Sequence, residues 1–324
     1  IGLTVSAIYF GLTIGPLIGG YVVDLYGWRA SFMVHLPLAI LALIIGVFFV
    51  KDEWLSDERG SFDLFGAVLY MLSILVLCVG VSYLPSTQSI ILIIFSLFGF
   101  IFFFLFERKH NHPIFDTTLF FTNRIFTFSC LASLIIYTAT FANVVQVNLY
   151  LQYLKGFSAT AAGAIVMCQP ITMAIFSPLA GKLADKFEPK YLSTIGMAIT
   201  CCGLIMLSNL KIDSELSYLI LSLVITGFGF SLFSPPNVNA IMGSVEKKFY
   251  GSATGAMATM RIIGQMSSMV LVTLIFALII GNVDINRENY GALEDAIRTI
   301  FGISAILCIP GLYLSMARGN FIRT

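Results

Sequence analysis

Apolar residues in this chain come in long unbroken blocks, without the two- or three-to-four-residue periods of elements that face water on one side. "LAILALIIGVFFV" covers 38–50 and "SIILIIFSLFGFIFFFLF" covers 89–106. Runs of about 18 or more apolar residues are candidates for crossing a bilayer. The pattern predicts ten spans, at about 3–23, 30–50, 64–84, 89–106, 125–152, 159–180, 191–209, 217–243, 253–280 and 297–316. Inside hydrocarbon each span must satisfy its own backbone, so all ten are read as helices. The fold class is all-α, a polytopic membrane protein. No segment alternates over roughly ten residues as a barrel strand would.

Composition agrees with the pattern. Of 324 residues, 58% are hydrophobic and 11% charged, with a mean hydropathy of +0.93. A soluble domain carries roughly 25% charged residues, so this chain could not clothe a water-facing surface. Its net charge of +1 argues against a nucleic-acid partner. The six cysteines all fall in apolar runs and read as small buried hydrophobes. The chain opens inside a hydrophobic run and reads as missing its beginning.

Charge sets the orientation. With residue 1 placed in the cytoplasm and the spans alternating, twelve lysines and arginines fall inside, five outside, and Arg261 within a span. The positive-inside rule then puts both ends of the chain in the cytoplasm. Asp63 precedes an apolar run and is expected to cap its helix. No phosphate loop, zinc-protease motif or Cys/His ligand cluster is present, so no enzyme activity, cofactor or metal is expected. His110 and His112 read as solvated loop residues.

The first span contains "YFGLTIGPLIGGYVVDLYGWRASF" from Tyr9, in which Gly11, Gly15 and Gly19 recur every fourth residue beside Pro16 and Gly20. These are poor helix formers in water. In a bilayer such glycines leave a groove for another backbone, and Pro16 invites a kink. The combination G-x-x-x-G-P-x-x-G-G resembles the antiporter motif of the major facilitator superfamily, in its drug:proton antiporter branch with fourteen helices (EmrB/QacA type). Trp28, Arg29, Phe32 and Pro37 resemble the family's approach to helix six, with His35 where an asparagine is common. "FDLFG" (62–66) is similar to the start of helix seven, and "YLQYLKGFSATAAGAIVMCQP" (150–170) to the junction of helices nine and ten. "SPLAGKLADKFEPK" (177–190) resembles the loop motif G-x-L-a-D-R-x-G-R-K, and "GFGFSLFSPPNVNA" and "GSATGAMATMRIIGQMSS" look like helices twelve and thirteen.

On this alignment the chain runs from helix five to helix fourteen, a partial copy of the fold without helices one to four. The division implied is 1–50 for the last two helices of an N-terminal bundle, 51–123 for two inserted helices, and 124–324 for a C-terminal six-helix bundle. The loop motif falls in a connection that the charge count had already made cytoplasmic. Within it, Gly181 permits close approach, Asp185 pairs with a base or a helix N-terminus, and Lys186 and Lys190 hold the basic positions. Glu188 stands where the motif has its second glycine.

Polar positions inside the spans supply the remaining candidates. Thr140, Asn143, Gln146 and Tyr150 share an arc of about 120°. The resemblance makes theirs the first helix of the C-terminal bundle, so Asn143, Gln146 and Tyr150 are expected to line a central cavity. Ser234, Asn237 and a break at Pro235–Pro236 are expected to face it as well. No acid lies deep in a span, and Asp24 is the nearest, at an outer end. Arg261, with Gln265 one turn on, is the charge within a span and is assigned to gating or domain contact. The small residues Ala159, Ala161, Ala162 and Gly163 are expected to pack against the glycine face of the first helix.

The resemblance implies a secondary active transporter of the cytoplasmic membrane, exporting amphipathic drugs or toxic organic compounds by alternating access, driven by protons. Its partners would be a small organic substrate, protons and the bilayer, and it admits a periplasmic adaptor protein. The alternatives are an exporter of one metabolite or siderophore, and a truncated membrane remnant that transports nothing.

Overall fold

The structure is a computed structural model that describes residues 2–49, 63–84, 86–108, 118–281 and 289–319. The connections at 51–62 and 109–117, with His110, His112 and several of the counted basic residues, lie outside the described residues. Every element within them is helical. In chain order these are α1 (Gly2–Tyr26), α2 (Trp28–Met33), α3 (His35–Phe49), α4 (Leu64–Ser82), α5 (Thr87–Glu107), α6 (Thr118–Thr122) and α7 (Arg124–Thr140). Then follow α8 (Asn143–Leu149), a π turn at Tyr150–Leu154, α9 (Ala159–Val166), α10 (Cys168–Ala184), α11 (Pro189–Ser208), α12 (Leu216–Gly243), α13 (Tyr250–Ile279) and α14 (Tyr290–Ala317). They compose ten segments long and apolar enough to cross a membrane.

Three expected spans are each built of two helices. α2 and α3 meet at Val34, α7 and α8 at Phe141–Ala142, and α9 and α10 at Met167. At the second junction the Ala142 N–H, which lacks a helical partner, donates to the Ser268 hydroxyl of α13 at 3.1 Å. Conversely, α12 runs unbroken through Pro235 and Pro236, where the sequence suggested a break. Each proline removes one backbone donor, but α12 is buried on several sides and its neighbours hold it in line. Polar caps start the helices as their side chains allow. Asp63 accepts from the Gly66 N–H at 2.8 Å as expected, and Asn123 and Ser158 do the same for α7 and α9.

α7–α8 and α9–α14 pack as one bundle, whose core runs from Ile136 and Val147 through Met197, Leu204 and Phe233 to Phe301 and Cys308. α4 and α5 form a hairpin stitched by Ser96, which donates to the Ser73 carbonyl at 2.8 Å. The hairpin meets the bundle at α13, where the Tyr70 and Thr259 hydroxyls lie 2.8 Å apart. The expectation that every cysteine is buried holds at Cys130 and Cys308; Cys78, Cys168 and Cys201 are half-buried and Cys202 is exposed. An apolar side chain on a lipid-facing side is as stable as one inside.

α1 lies along α9 and α10, and here the glycine expectation needs correcting. Gly11, Gly15 and Gly19 have nothing within 4 Å of where a Cβ would stand. The contact with α9 is made instead by Pro16, Gly20 and Asp24, with Tyr9 and Thr13 buried on the same face. At 100° per residue, the two faces are about 140° apart around the helix. A methyl group on Gly163 would strike the Pro16 carbonyl, and one on Gly20 would stand 2.5 Å from the Ala159 carbonyl oxygen. The small end of α9 does pack on α1, but on this other face.

Gly163→Ala or Gly20→Ala should therefore cost about 1–3 kcal/mol through overpacking. Gly15→Ala should change stability by less than about 0.5 kcal/mol. Thermal unfolding of the purified variants in detergent checks both, and equal losses at all three positions would contradict the packing described.

Candidate functional site

Two ends of the bundle and its middle hold the polar chemistry. At one end Asp24, two residues before α1 finishes, reaches the N-terminus of α9. Its carboxylate accepts from the Thr160 N–H at 2.8 Å, from the Ala159 N–H at 3.3 Å and from the Thr160 hydroxyl. An anion suits this place because the first N–H groups of a helix have no partner within it and carry partial positive charge. Asp24 is thus a clasp between α1 and α9. At the same end the Tyr150 hydroxyl donates to the Lys211 carbonyl at 2.7 Å, and Lys155 donates to the Ser214 carbonyl at 2.7 Å. Tyr150 braces a connection and does not face a cavity.

At the opposite end Arg318 follows α14 and is fully buried. Its guanidinium donates to the Asn237 amide oxygen at 2.8 Å, to the Ser129 hydroxyl at 3.1 Å and to the Ser193 hydroxyl at 3.0 Å. Asn237 in turn donates to the Ser129 carbonyl at 3.0 Å and the Ser133 hydroxyl at 2.8 Å. Burial lowers the arginine to about 10, with Glu188 opposing the shift, so it stays charged at neutral pH. Four helices, α7, α11, α12 and α14, are tied by one cation and one amide. Asn237, expected in a cavity, is committed to this knot.

Asn143 and Gln146 are also buried, each about 1% exposed, on the side of α8 that continues the core face of α7. Both polar atoms of Asn143 and the Gln146 amide oxygen have no hydrogen-bond partner among the described residues, so neither side chain is committed as Asn237 is. The loop motif stands at the Arg318 end: Asp185 closes α10 with its N–H on the Gly181 carbonyl at 3.3 Å, and Lys186 is exposed. Lys190 pairs with Glu188 at 3.5 Å. The turn forms without positive φ, which is why glutamate is tolerated where the motif has glycine. A shallow cavity of about 430 Å³ between Leu119, Asn123 and Phe249 lies apart from all these residues except the end of α12. Among the described residues no three of His, Cys, Asp and Glu converge to hold a metal.

The middle is where α1, α7, α12 and α13 meet. The Phe230 ring takes Tyr9 edge-on at 6.5 Å and Tyr137 edge-on at 5.6 Å between centroids. Such edge-to-face pairs are favourable beyond their buried area. The Tyr137 hydroxyl stands beside Ser234 and the Arg261 guanidinium, and Tyr9 faces the same serine. Gly264 makes this possible, because a Cβ there would lie 2.6 Å from the Leu134 carbonyl oxygen. Without one, α13 closes on α7 and carries Arg261 alongside Tyr137. Arg261 is exposed and, among the described residues, has no carboxylate within 4 Å, whereas Arg298 pairs with Glu294 at 4.0 Å. α13 begins at Tyr250, so Arg261 sits about 16 Å from that helix end, deeper than the sequence spans implied. Of the expected residues, Ser234 and Arg261 come together here, with Gln265 half-buried one turn on. Tyr9, Tyr137 and Phe230 were not singled out from the sequence.

This arrangement can be set against known proteins. The family model of the Major Facilitator Superfamily matches residues 129–318, more than half of the chain. The chain belongs to the major facilitator superfamily. The chain is 28% identical over 316 residues to the riboflavin transporter RibZ of Clostridioides difficile, covering 98% of this chain and 69% of that protein. It is 30% identical over 290 residues to multidrug resistance protein 3 of Bacillus subtilis, covering 86% and 55%. With the multidrug resistance protein Stp of Mycobacterium tuberculosis the identity is 27% over 269 residues, covering 82% and 50%. The superfamily chain thus spans between about half and about two thirds of the length of these curated relatives.

Removing either centre of the buried knot leaves hydrogen-bonding groups of the other unsatisfied. Arg318→Ala and Asn237→Ala should each cost about 2–4 kcal/mol. Because they share partners, the double variant should lose at least about 1 kcal/mol less than the sum. A double-mutant cycle by denaturant unfolding in detergent reads this coupling, and simple additivity would break the knot as described.

Proposed function

We propose that this chain is part of a proton-driven exporter of amphipathic organic compounds, working by alternating access in the drug:proton antiporter branch with fourteen helices. In this reading 1–50 belongs to the N-terminal bundle, 51–123 is the inserted pair, and 124–324 is the C-terminal bundle. The charge bias puts the Asp24 end outside the cytoplasmic membrane and the Arg318 end in the cytoplasm, with both chain termini inside. The loop at 181–190 acts as a latch on the cytoplasmic side, with Gly181, Asp185, Lys186 and Lys190 as its working residues.

One observation carries the reading. α1 lies directly on α9 through backbone-to-backbone contact at Pro16 and Gly20, and Asp24 fastens that end of it. A smooth seam with a releasable polar clasp suits two bundles that rock against each other. The names of the multidrug relatives point to broad substrates. The name of the riboflavin relative favours a second reading, an exporter of one metabolite.

Proton coupling needs an ionisable group that changes charge within the membrane. Every carboxylate on a described spanning helix stands within about two turns of a helix end, and Asp24 is engaged on α9. The coupling acid therefore lies outside the described mid-span positions.

Cells expressing the complete protein should retain severalfold less of at least one dye from a chemically varied panel than cells without it. A protonophore should abolish the difference. Protonophore-insensitive efflux would remove proton drive, and no efflux of any dye would remove the broad exporter. Asp24→Ala should weaken closure and lower efflux, while Asp24→Glu should restore part of it.

A further inference from the structure

Four arginines lie on or beside the described spans of the six-helix bundle, and three are accounted for, Arg124 by the Phe128 ring 5.1 Å away. Arg298 has Glu294 and the Ser208 carbonyl, and Arg318 has Asn237, Ser129 and Ser193. Arg261 has neither a carboxylate nor a backbone acceptor among the described residues. It stands about three turns into α13, exposed on the face beside α7, next to the Tyr137 hydroxyl. Holding a guanidinium at this depth is costly, and it cannot be neutralised at physiological pH. Its surroundings are aromatic: Tyr137 and Tyr9 both present edges to Phe230, and Ser234 stands one turn on from Phe230 along α12.

We infer that Arg261, Tyr137 and Ser234, backed by Tyr9 and Phe230, form one wall of a substrate site selective for planar aromatic compounds bearing a carboxylate or comparable anionic group. The inference rests on the transporter reading above and deepens it by naming the substrate class. A guanidinium presents a planar fork of donors that takes a carboxylate through two parallel bonds. The Tyr137 and Ser234 hydroxyls add donors beside it, and the half-buried Tyr137 ring, held by Phe230, offers aromatic surface to a flat ring. The same positive field that holds an anion repels a cation. No described mid-span carboxylate offsets it. A cationic drug would find no counter-charge on this wall.

The test uses two dyes with the same flat xanthene skeleton and opposite charge, fluorescein and rhodamine 6G. The complete protein in lipid nanodiscs is titrated with each, followed by fluorescence anisotropy. Fluorescein should bind saturably and at least about tenfold tighter than rhodamine 6G. Arg261→Gln should weaken fluorescein binding at least about tenfold, Arg261→Lys should recover part of it, and Arg261→Glu should reverse the preference. Tyr137→Phe should give a smaller loss. Each variant is compared only if it is monodisperse and unfolds near the wild-type temperature. Should Arg261→Gln fail that criterion, the Lys and Phe variants still read the site.

Equal or tighter binding of rhodamine 6G, absence of fluorescein binding, or fluorescein affinity unchanged by Arg261→Gln would each overturn the inference. The last result would mean that a carboxylate elsewhere in the protein already pairs with Arg261. The two readings fail separately. Protonophore-sensitive efflux of rhodamine 6G without fluorescein binding removes the anion site and keeps the exporter. Arginine-dependent fluorescein binding without any efflux keeps the site and removes the exporter.

Discussion

Close approach of bare backbone is the constraint on which this structure depends. In lipid, apolar side chains gain little by meeting one another, so helices must find attraction in van der Waals contact and in polar bonds shielded from water. The chain uses the first wherever two helices must lie tight. Gly163 sits over the Pro16 carbonyl, Gly20 over Ala159, Gly229 against Thr200 and Gly264 against Leu134. These contacts decide which helices are neighbours, and the neighbours decide which side chains can form a site. Arg261 meets Tyr137 because Gly264 removes the side chain that would have held α13 away.

The second resource, shielded polar bonding, is spent unevenly. At the Arg318 end it is dense and closed: one guanidinium and one amide engage three serines on α7 and α11, and little is left for water to attack. A buried ion of this sort gives no assurance of net stability, but losing one partner strands the others. That geometry favours a bundle that moves as a unit at this end. At the Asp24 end the bonding that holds α1 to the bundle is open, a single carboxylate over an exposed helix N-terminus. Rigid within and releasable between is the mechanical difference the two ends express.

The spans were legible because hydrocarbon enforces length and apolarity on any chain that crosses it, and ten were read from the blocks alone. The Asp63 cap was legible for the same reason, being a local bond between residues three apart. What depends on which face meets which neighbour was not. The spacing of Gly11, Gly15 and Gly19 shows that a smooth face exists, but the working face carries Tyr9, Thr13, Pro16, Gly20 and Asp24, residues with no common type. Asn237 and Tyr150 looked like cavity residues because polarity in a span is informative, yet their partners, Arg318 and Lys211, are 81 and 61 positions away. Arg318 looked like an ordinary basic residue at a helix end, and no local pattern distinguishes one that turns inward. Pro235 and Pro236 misled in the opposite direction, since a helix held on several sides does not have to break where its own hydrogen bonding is interrupted.

α1 joins the seam to the central cluster. Tyr9 and Gly20 are on the same face of that helix, about 16 Å apart along its axis, and both are in contact with the six-helix bundle: Tyr9 at Phe230, Gly20 at Ala159. Pro16 lies between them, so the helix lacks one internal bond at the point where the two contacts could otherwise be moved as one rod. Thr13 donates to the Tyr9 carbonyl at 2.8 Å, a back-bond of the kind that favours a local bend. The element that closes the Asp24 end is therefore the same one that supplies an aromatic edge beside Arg261. Displacing α1 at the seam alters the surroundings of the arginine unless Pro16 absorbs the motion, so one helix physically links the Asp24 contact to the proposed site.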